Sequence, residues 1–141
     1  MALNASDKLV VSIGIVTILM FVTALANAYK AFGLLAVANM ALYITLAASA
    51  KNIKYAAIAG VTVFIVQATF LLLVFYYWEL YRGVFPGFTI LGMHPGFFIM
   101  FPVWWITGFA VMTLLYLLLF EKAIISEEDV RKFREKVKGT S

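Results

Sequence analysis

Four apolar windows, at residues 9–28, 31–50, 55–78 and 97–120, hold 88 of the 141 residues without one Asp, Glu, Lys or Arg. All eighteen formal charges fall in the remaining 53 residues. A helix needs about 20 apolar residues to cross a hydrocarbon core roughly 30 Å thick, so each window is long enough to span one. Backbone polar groups inside lipid must be paired within the segment, which makes a helix the structure open to them. The fold class expected is all-α, an integral membrane bundle of four transmembrane helices over residues 1–125.

Composition excludes the alternatives. The hydrophobic fraction is 65% and the charged fraction 13%, against roughly 45–50% and 25% in a soluble domain. A soluble globule of this size could not hide so much apolar surface, and disordered chains are polar and charged. The chain has no cysteine. That rules out disulfides, thiolate nucleophiles, thiolate-held zinc, iron–sulfur clusters and covalently attached haem.

The first two windows are separated only by Tyr29 and Lys30. As one helix, residues 9–50 would run about 63 Å, which no bilayer matches. A turn is therefore expected within residues 27–33, where Lys30 can snorkel and Gly33 can take unusual dihedrals. Residues 51–54 form a second tight link, which makes the first three helices antiparallel neighbours. With four spans, both termini and the second link share one side. That side carries nine of the eleven Lys and Arg, leaving Lys30 and Arg82 opposite. The positive-inside rule then puts both termini in the cytoplasm of a multi-pass cell-membrane protein. Residues 1–28 could be read as a signal peptide, since Ala24-Leu25-Ala26 resembles a cleavage site. Asp7 offsets Lys8 in its n-region, and the retained span is the expectation.

Small residues crowd the second span, and Ala56 with Gly60 forms a small-xxx-small pair in the third. Such residues let helices approach closely in lipid. The third window ends in Phe75-Tyr76-Tyr77-Trp78, which suits an interfacial aromatic belt. The connection at residues 79–96 is apolar and punctuated by Pro86-Gly87, Gly92 and Pro95-Gly96. It is expected to lie along or dip into the outer membrane surface, or to pack under a partner. Pro102 is expected to kink the fourth helix. Trp104 and Trp105 would sit about 13–15 Å inside it, deep for a belt. Residues 126–141 are read as a cytoplasmic amphipathic helix. Ser126 would cap it, and Val130, Phe133 and Val137 would form its apolar stripe. Its bases suit anionic lipid; alternation of bases with acids argues against nucleic acid.

Candidate site residues are few. Glu79 and Arg82 lie three apart, within ion-pair reach. His94 is the only histidine. It cannot make a bis-His haem, and neither haem nor quinone contact through it is expected, so bound lipid is the only cofactor-like partner anticipated. Asn27, Asn39 and Gln67 are the strongly polar groups within the spans; the two asparagines could meet across the first hairpin, as helix glue. Intramembrane polar residues mark function by default, yet the spans lack the buried charges that proton- and ion-coupled carriers use.

From Trp78 onward, the aromatic helix end, the Gly/Pro loop, the stretch Gly92-Met93-His94-Pro95-Gly96-Phe97-Phe98 and the charged tail resemble the small subunits that accompany sodium/solute symporters. The resemblance covers less than half of the chain, those subunits have fewer spans, and no assignment rests on it. With no catalytic set, the expectation is a non-enzyme: a small subunit of a respiratory or transporter complex, partnered by other membrane subunits and lipid. The alternative is a small homo-oligomeric channel or transporter.

Overall fold

The computed structural model describes residues 4–49, 52–119 and 127–138. Four helical spans are long and apolar enough to cross a membrane. Helix α1 runs Ala5–Leu25, α2 Tyr29–Ala48 and α3 Ile53–Leu80. The fourth span begins as α4 (Pro95–Phe98), widens into a π-helical segment at Ile99–Trp104, and continues as α5 (Trp105–Leu119). A separate helix, α6, covers Glu127–Lys138. Helices α1 and α3 begin a few residues ahead of the expected windows, where polar caps extend them. Asn4 and Asp7 close a reciprocal capping box ahead of the apolar run of α1, and Asn52 caps α3 through Lys54 N–H. The expected Ser126 cap, Ala50, Lys51 and Phe120 lie outside the described residues.

The first turn is tighter than the sequence suggested. Asn27 takes a left-handed φ of 54°, a conformation asparagine tolerates better than most residues, and α2 starts two residues later. Gly33 is not part of the turn. It lies one turn into α2, where a Cβ would come within 2.8 Å of Phe75 and 3.2 Å of Leu71 on α3. Its missing side chain admits those two large ones.

Helix α3 is the axis of the molecule. Ala56, Gly60, Val63, Gln67 and Leu71 form a buried seam along it, at spacings of three and four residues. Helix α2 meets this seam with Val37, Ala41 and Thr45, four apart. At the crossing, Gly60 faces the Ala41 carbonyl and the Thr45 hydroxyl, and a Cβ on residue 60 would overlap Thr45 Oγ1 and lie 2.9 Å from Ala41 O. The small-xxx-small pair therefore does what its composition implies. A second cluster packs Val37, Ala68 and Leu71 against Leu34, Phe75 and Trp104.

The principal packing is sequential: α1 against α2, α2 against α3, and the fourth span against α3. Helix α1 buries only Ile13. Helices α2 and α5 stand on either side of α3 and leave a groove between them.

The fourth span does not simply kink at Pro102. A proline lacks an N–H and its ring crowds the carbonyl four residues back; here the chain widens into the π-helical segment that contains Pro102. The Trp105 N–H bonds back to the Pro102 carbonyl, and the span continues without a break. The loop at residues 81–94 is ordered by a two-residue turn. Ile90 and Met93 exchange both N–H···O bonds at 3.0 Å, with Leu91 at φ 51° and Gly92 at φ 76° between them. Positive φ at both central positions is the type I′ pattern.

Candidate functional site

Asn39, Gln67, Trp104 and Trp105 meet in the groove between α2 and α5. Its volume is about 840 Å³, and Met40, Tyr43, Phe109 and Met112 complete most of its apolar wall. The two tryptophans divide the work. Trp104 turns inward onto the cluster around Val37 and Leu71, while Trp105 is 73% exposed and stands at the rim. Adjacent residues on a helix point about 100° apart, so one faces the bundle and the other the surroundings.

Gln67 forms the floor and is 6% exposed. Gly108 on α5 lies directly over its amide: a Cβ there would come within 2.6 Å of Gln67 Nε2. The absence of a side chain at residue 108 lets the fourth span close onto the glutamine. Gln67 Oε1 is nevertheless buried without a hydrogen bond. Asn39 shows the same asymmetry. Its Nδ2 donates to Thr17 Oγ1 on α1 at 3.2 Å, and Thr17 in turn donates to the Ile13 carbonyl at 2.8 Å, whereas Asn39 Oδ1 is buried and accepts nothing. An unpaired buried amide oxygen costs about 1–3 kcal/mol.

The expected meeting of Asn27 and Asn39 does not occur. Asn27 is exposed in the turn, and Asn39 ties α1 to α2 through Thr17, a residue the sequence reading had not singled out. Gly108 was also missed; only its place opposite Gln67 gives it meaning.

The other candidates gather at the loop end of the molecule. Glu79 accepts a hydrogen bond from the Tyr29 hydroxyl and an ion pair from Lys30 Nζ at 3.2 Å. The expected partner, Arg82, is more distant, with Nη1 at 4.0 Å. Glu79 thus fastens the start of α2, through Tyr29 and Lys30, to the end of α3, and Tyr29 lies fifty positions away in sequence. Tyr29 also meets Phe75 edge-on, ring centroids 5.8 Å apart.

His94 caps α4. Its Nδ1 accepts from the Gly96 N–H at 3.1 Å, which leaves the ring proton of the neutral form on Nε2. Its ring meets Tyr81 edge-on at 5.5 Å. Together with Trp78, Tyr81, Arg82 and Phe85 it lines a smaller cleft of about 410 Å³. Among the described residues, no three His, Asp or Glu side chains converge as a metal site would require.

Comparison with protein-family models, curated proteins and solved structures finds no match to this chain.

Proposed function

We propose that the chain is a non-catalytic small subunit of a larger membrane assembly, of the electron-transfer or transporter kind, which it supports structurally. The loop at residues 81–94 carries this reading. It is built, not slack: the Ile90–Met93 turn, the His94 cap and the Tyr81 contacts with Phe88 and His94 hold its shape. Yet it displays Phe85 at 98% exposure and Leu91 at 82%. Leu91 does so in a left-handed conformation that costs an L-residue about 1–2 kcal/mol. Irregular backbone cannot sink into lipid hydrocarbon unless protein covers it. A preformed apolar loop of this kind suits the surface of a partner subunit.

In the same reading, both termini are cytoplasmic in the cell membrane, by the nine-to-two distribution of Lys and Arg. Helix α6 lies on that surface. Its polar side is braced by Lys132–Glu128 at 2.9 Å and Arg131–Glu135 at 3.9 Å, and Val130, Phe133 and Val137 are its apolar contacts. Bound lipid is the only cofactor-like group this reading includes.

The test is Phe85→Ser in the native membrane, with gentle extraction and sizing of the particle. Loss of the co-extracted chains with helix content intact supports the reading; an undiminished particle removes its main support. The second reading, a small homo-oligomeric channel or transporter, draws on the groove, whose exposed rim a second copy could cover. It predicts a particle made of this chain alone.

A further inference from the structure

We infer that the cleft between the end of α3 and the loop at residues 81–94 is a binding site for the phosphodiester group of a membrane phospholipid. The inference does not rest on the subunit reading. The cleft measures about 410 Å³ and is lined by Trp78, Tyr81, Arg82, Phe85 and His94, among others. That volume lies within the roughly 300–1,000 Å³ of small-molecule sites, which are mainly apolar with a few placed polar groups. The polar side chains here can all donate: a guanidinium, an indole N–H, a phenol and an imidazole N–H. None of the lining residues is acidic. Three of the donors are within reach of a ligand. The Arg82 side chain is 73% exposed and has only a 4.0 Å contact with Glu79, and Glu79 is already engaged by Tyr29 and by Lys30 at 3.2 Å. Trp78 is 61% exposed. The His94 Nδ1 acceptor is taken by the Gly96 N–H, so the neutral ring keeps its proton on Nε2. That atom has no hydrogen-bond partner among the described residues and is not enclosed.

Position and charge select the ligand. Residues 55–78 carry no charge over about 36 Å of helix, enough to cross the hydrocarbon core. Arg82 lies four residues beyond Trp78, about 6 Å along the axis, and the headgroup layer on each side of the core is about 5–8 Å thick. The cleft therefore opens at the level of lipid phosphates. Lys30, Glu79 and Arg82 are the charged residues at this end of the bundle. With Glu79 engaged by Lys30, the Arg82 guanidinium carries the remaining positive charge at the cleft. Its planar fork matches two phosphate oxygens at once, and such charge-assisted bonds are the stronger kind. A cationic ligand would face Arg82 with no carboxylate in the lining to balance it. A soluble phosphate would leave the apolar walls against water, whereas the glycerol and acyl chains of a phospholipid cover them. Leu91, also displayed by the loop, does not line the cleft, so a lipid there leaves that part of the loop to a partner.

The experiment uses the full chain, delipidated in dodecyl maltoside and titrated with lipid, with native mass spectrometry counting the lipid retained per chain. The probes are dioleoylphosphatidylglycerol and dioleoylglycerol, which has the same chains and no phosphate. The expected result is saturation at one phosphatidylglycerol per chain, at a concentration about tenfold or more below that of dioleoylglycerol. Arg82→Gln should weaken phosphatidylglycerol about tenfold, the order of one charge-assisted hydrogen bond. Arg82→Lys should recover only part of this, since an ammonium lacks the fork. His94→Asn keeps an acceptor for the Gly96 N–H but carries no ring N–H into the cleft, and should weaken binding about threefold or more. It tests the site on its own should Arg82→Gln misfold by circular dichroism. Lys54→Gln removes the same charge at the opposite end of α3 and should leave binding within about twofold. Equal losses from Lys54→Gln and Arg82→Gln would overturn the inference, because attraction to the lipid would then be diffuse. Equal retention of the two lipids would overturn it, as would displacement of phosphatidylglycerol by millimolar sn-glycerol 3-phosphate, which would make the cleft a site for a soluble phosphate ester.

Discussion

Replacing Gly60 by alanine tests the α2–α3 crossing on which the whole arrangement rests. The added Cβ would overlap Thr45 Oγ1 and stand 2.9 Å from the Ala41 carbonyl oxygen. The hydroxyl can rotate away, but only by giving up its 2.9 Å bond to Ala41 O. The carbonyl is backbone and can yield only if the helices part by a few tenths of an ångström. Overpacking of this kind costs about 1–3 kcal/mol; a value near 2 is expected, roughly a thirtyfold fall in the folded-to-unfolded ratio. The assay is unfolding in mixed micelles by titration with a denaturing detergent, followed by circular dichroism. Thr45→Ala alone should cost less than about 1 kcal/mol, the order of one satisfied hydrogen bond. In the double variant the clash with the hydroxyl is gone while the 2.9 Å approach to Ala41 O stays, so about 1 kcal/mol, and not the whole loss, should return relative to the sum of the single changes. Wild-type stability for Gly60→Ala, or simple additivity in the double variant, would refute the close crossing.

Other predictions follow from the same geometry. Gly108→Ala should destabilise less than Gly60→Ala, because the atom it meets is the end of a flexible amide; the same titration decides, and a larger loss would contradict the placement of Gln67. Glu79→Gln should barely lower stability, since the carboxylate and its partners are exposed to solvent, and what loss there is should shrink with salt; a large loss that ignores salt would mean that the cluster is buried by something else. Leu91→Asn should stabilise the isolated chain by up to about 1 kcal/mol by relieving the left-handed strain, as read from the unfolding midpoint, and should weaken partner binding in the native membrane. The chain lacks cysteine, so Gly87→Cys and Asn52→Cys give clean topology probes: a membrane-impermeant maleimide added to intact cells should label the first and spare the second.

Hydropathy and charge placement made the four spans legible, because a charge inside hydrocarbon is costly enough to leave a plain signature. What it could not reveal was rotation. Each span is apolar on every side, and in lipid the outside of a helix is as apolar as its inside, so no stripe told which face of α2 would carry Asn39 or that Trp104 and Trp105 would part. The Asn39–Thr17 link and the Gly108–Gln67 approach depend on those rotations. Small residues were the exception: Ala56 and Gly60 foretold the crossing because close approach is possible only where side chains are missing. Pro102 announced a disturbance but not its form, since a missing N–H can be met by a bend or by widening into a π-helical turn. Glu79 was recognised as an ion-pair partner, but Tyr29 and Lys30 reach it only once the first turn closes at Asn27.

The most direct test of the subunit reading is the mass and composition of the particle that carries this chain after gentle extraction from its native membrane. The account predicts a particle much larger than the 15.7 kDa chain, containing other membrane proteins in fixed ratio. A monomer, or an oligomer of this chain alone, would contradict it.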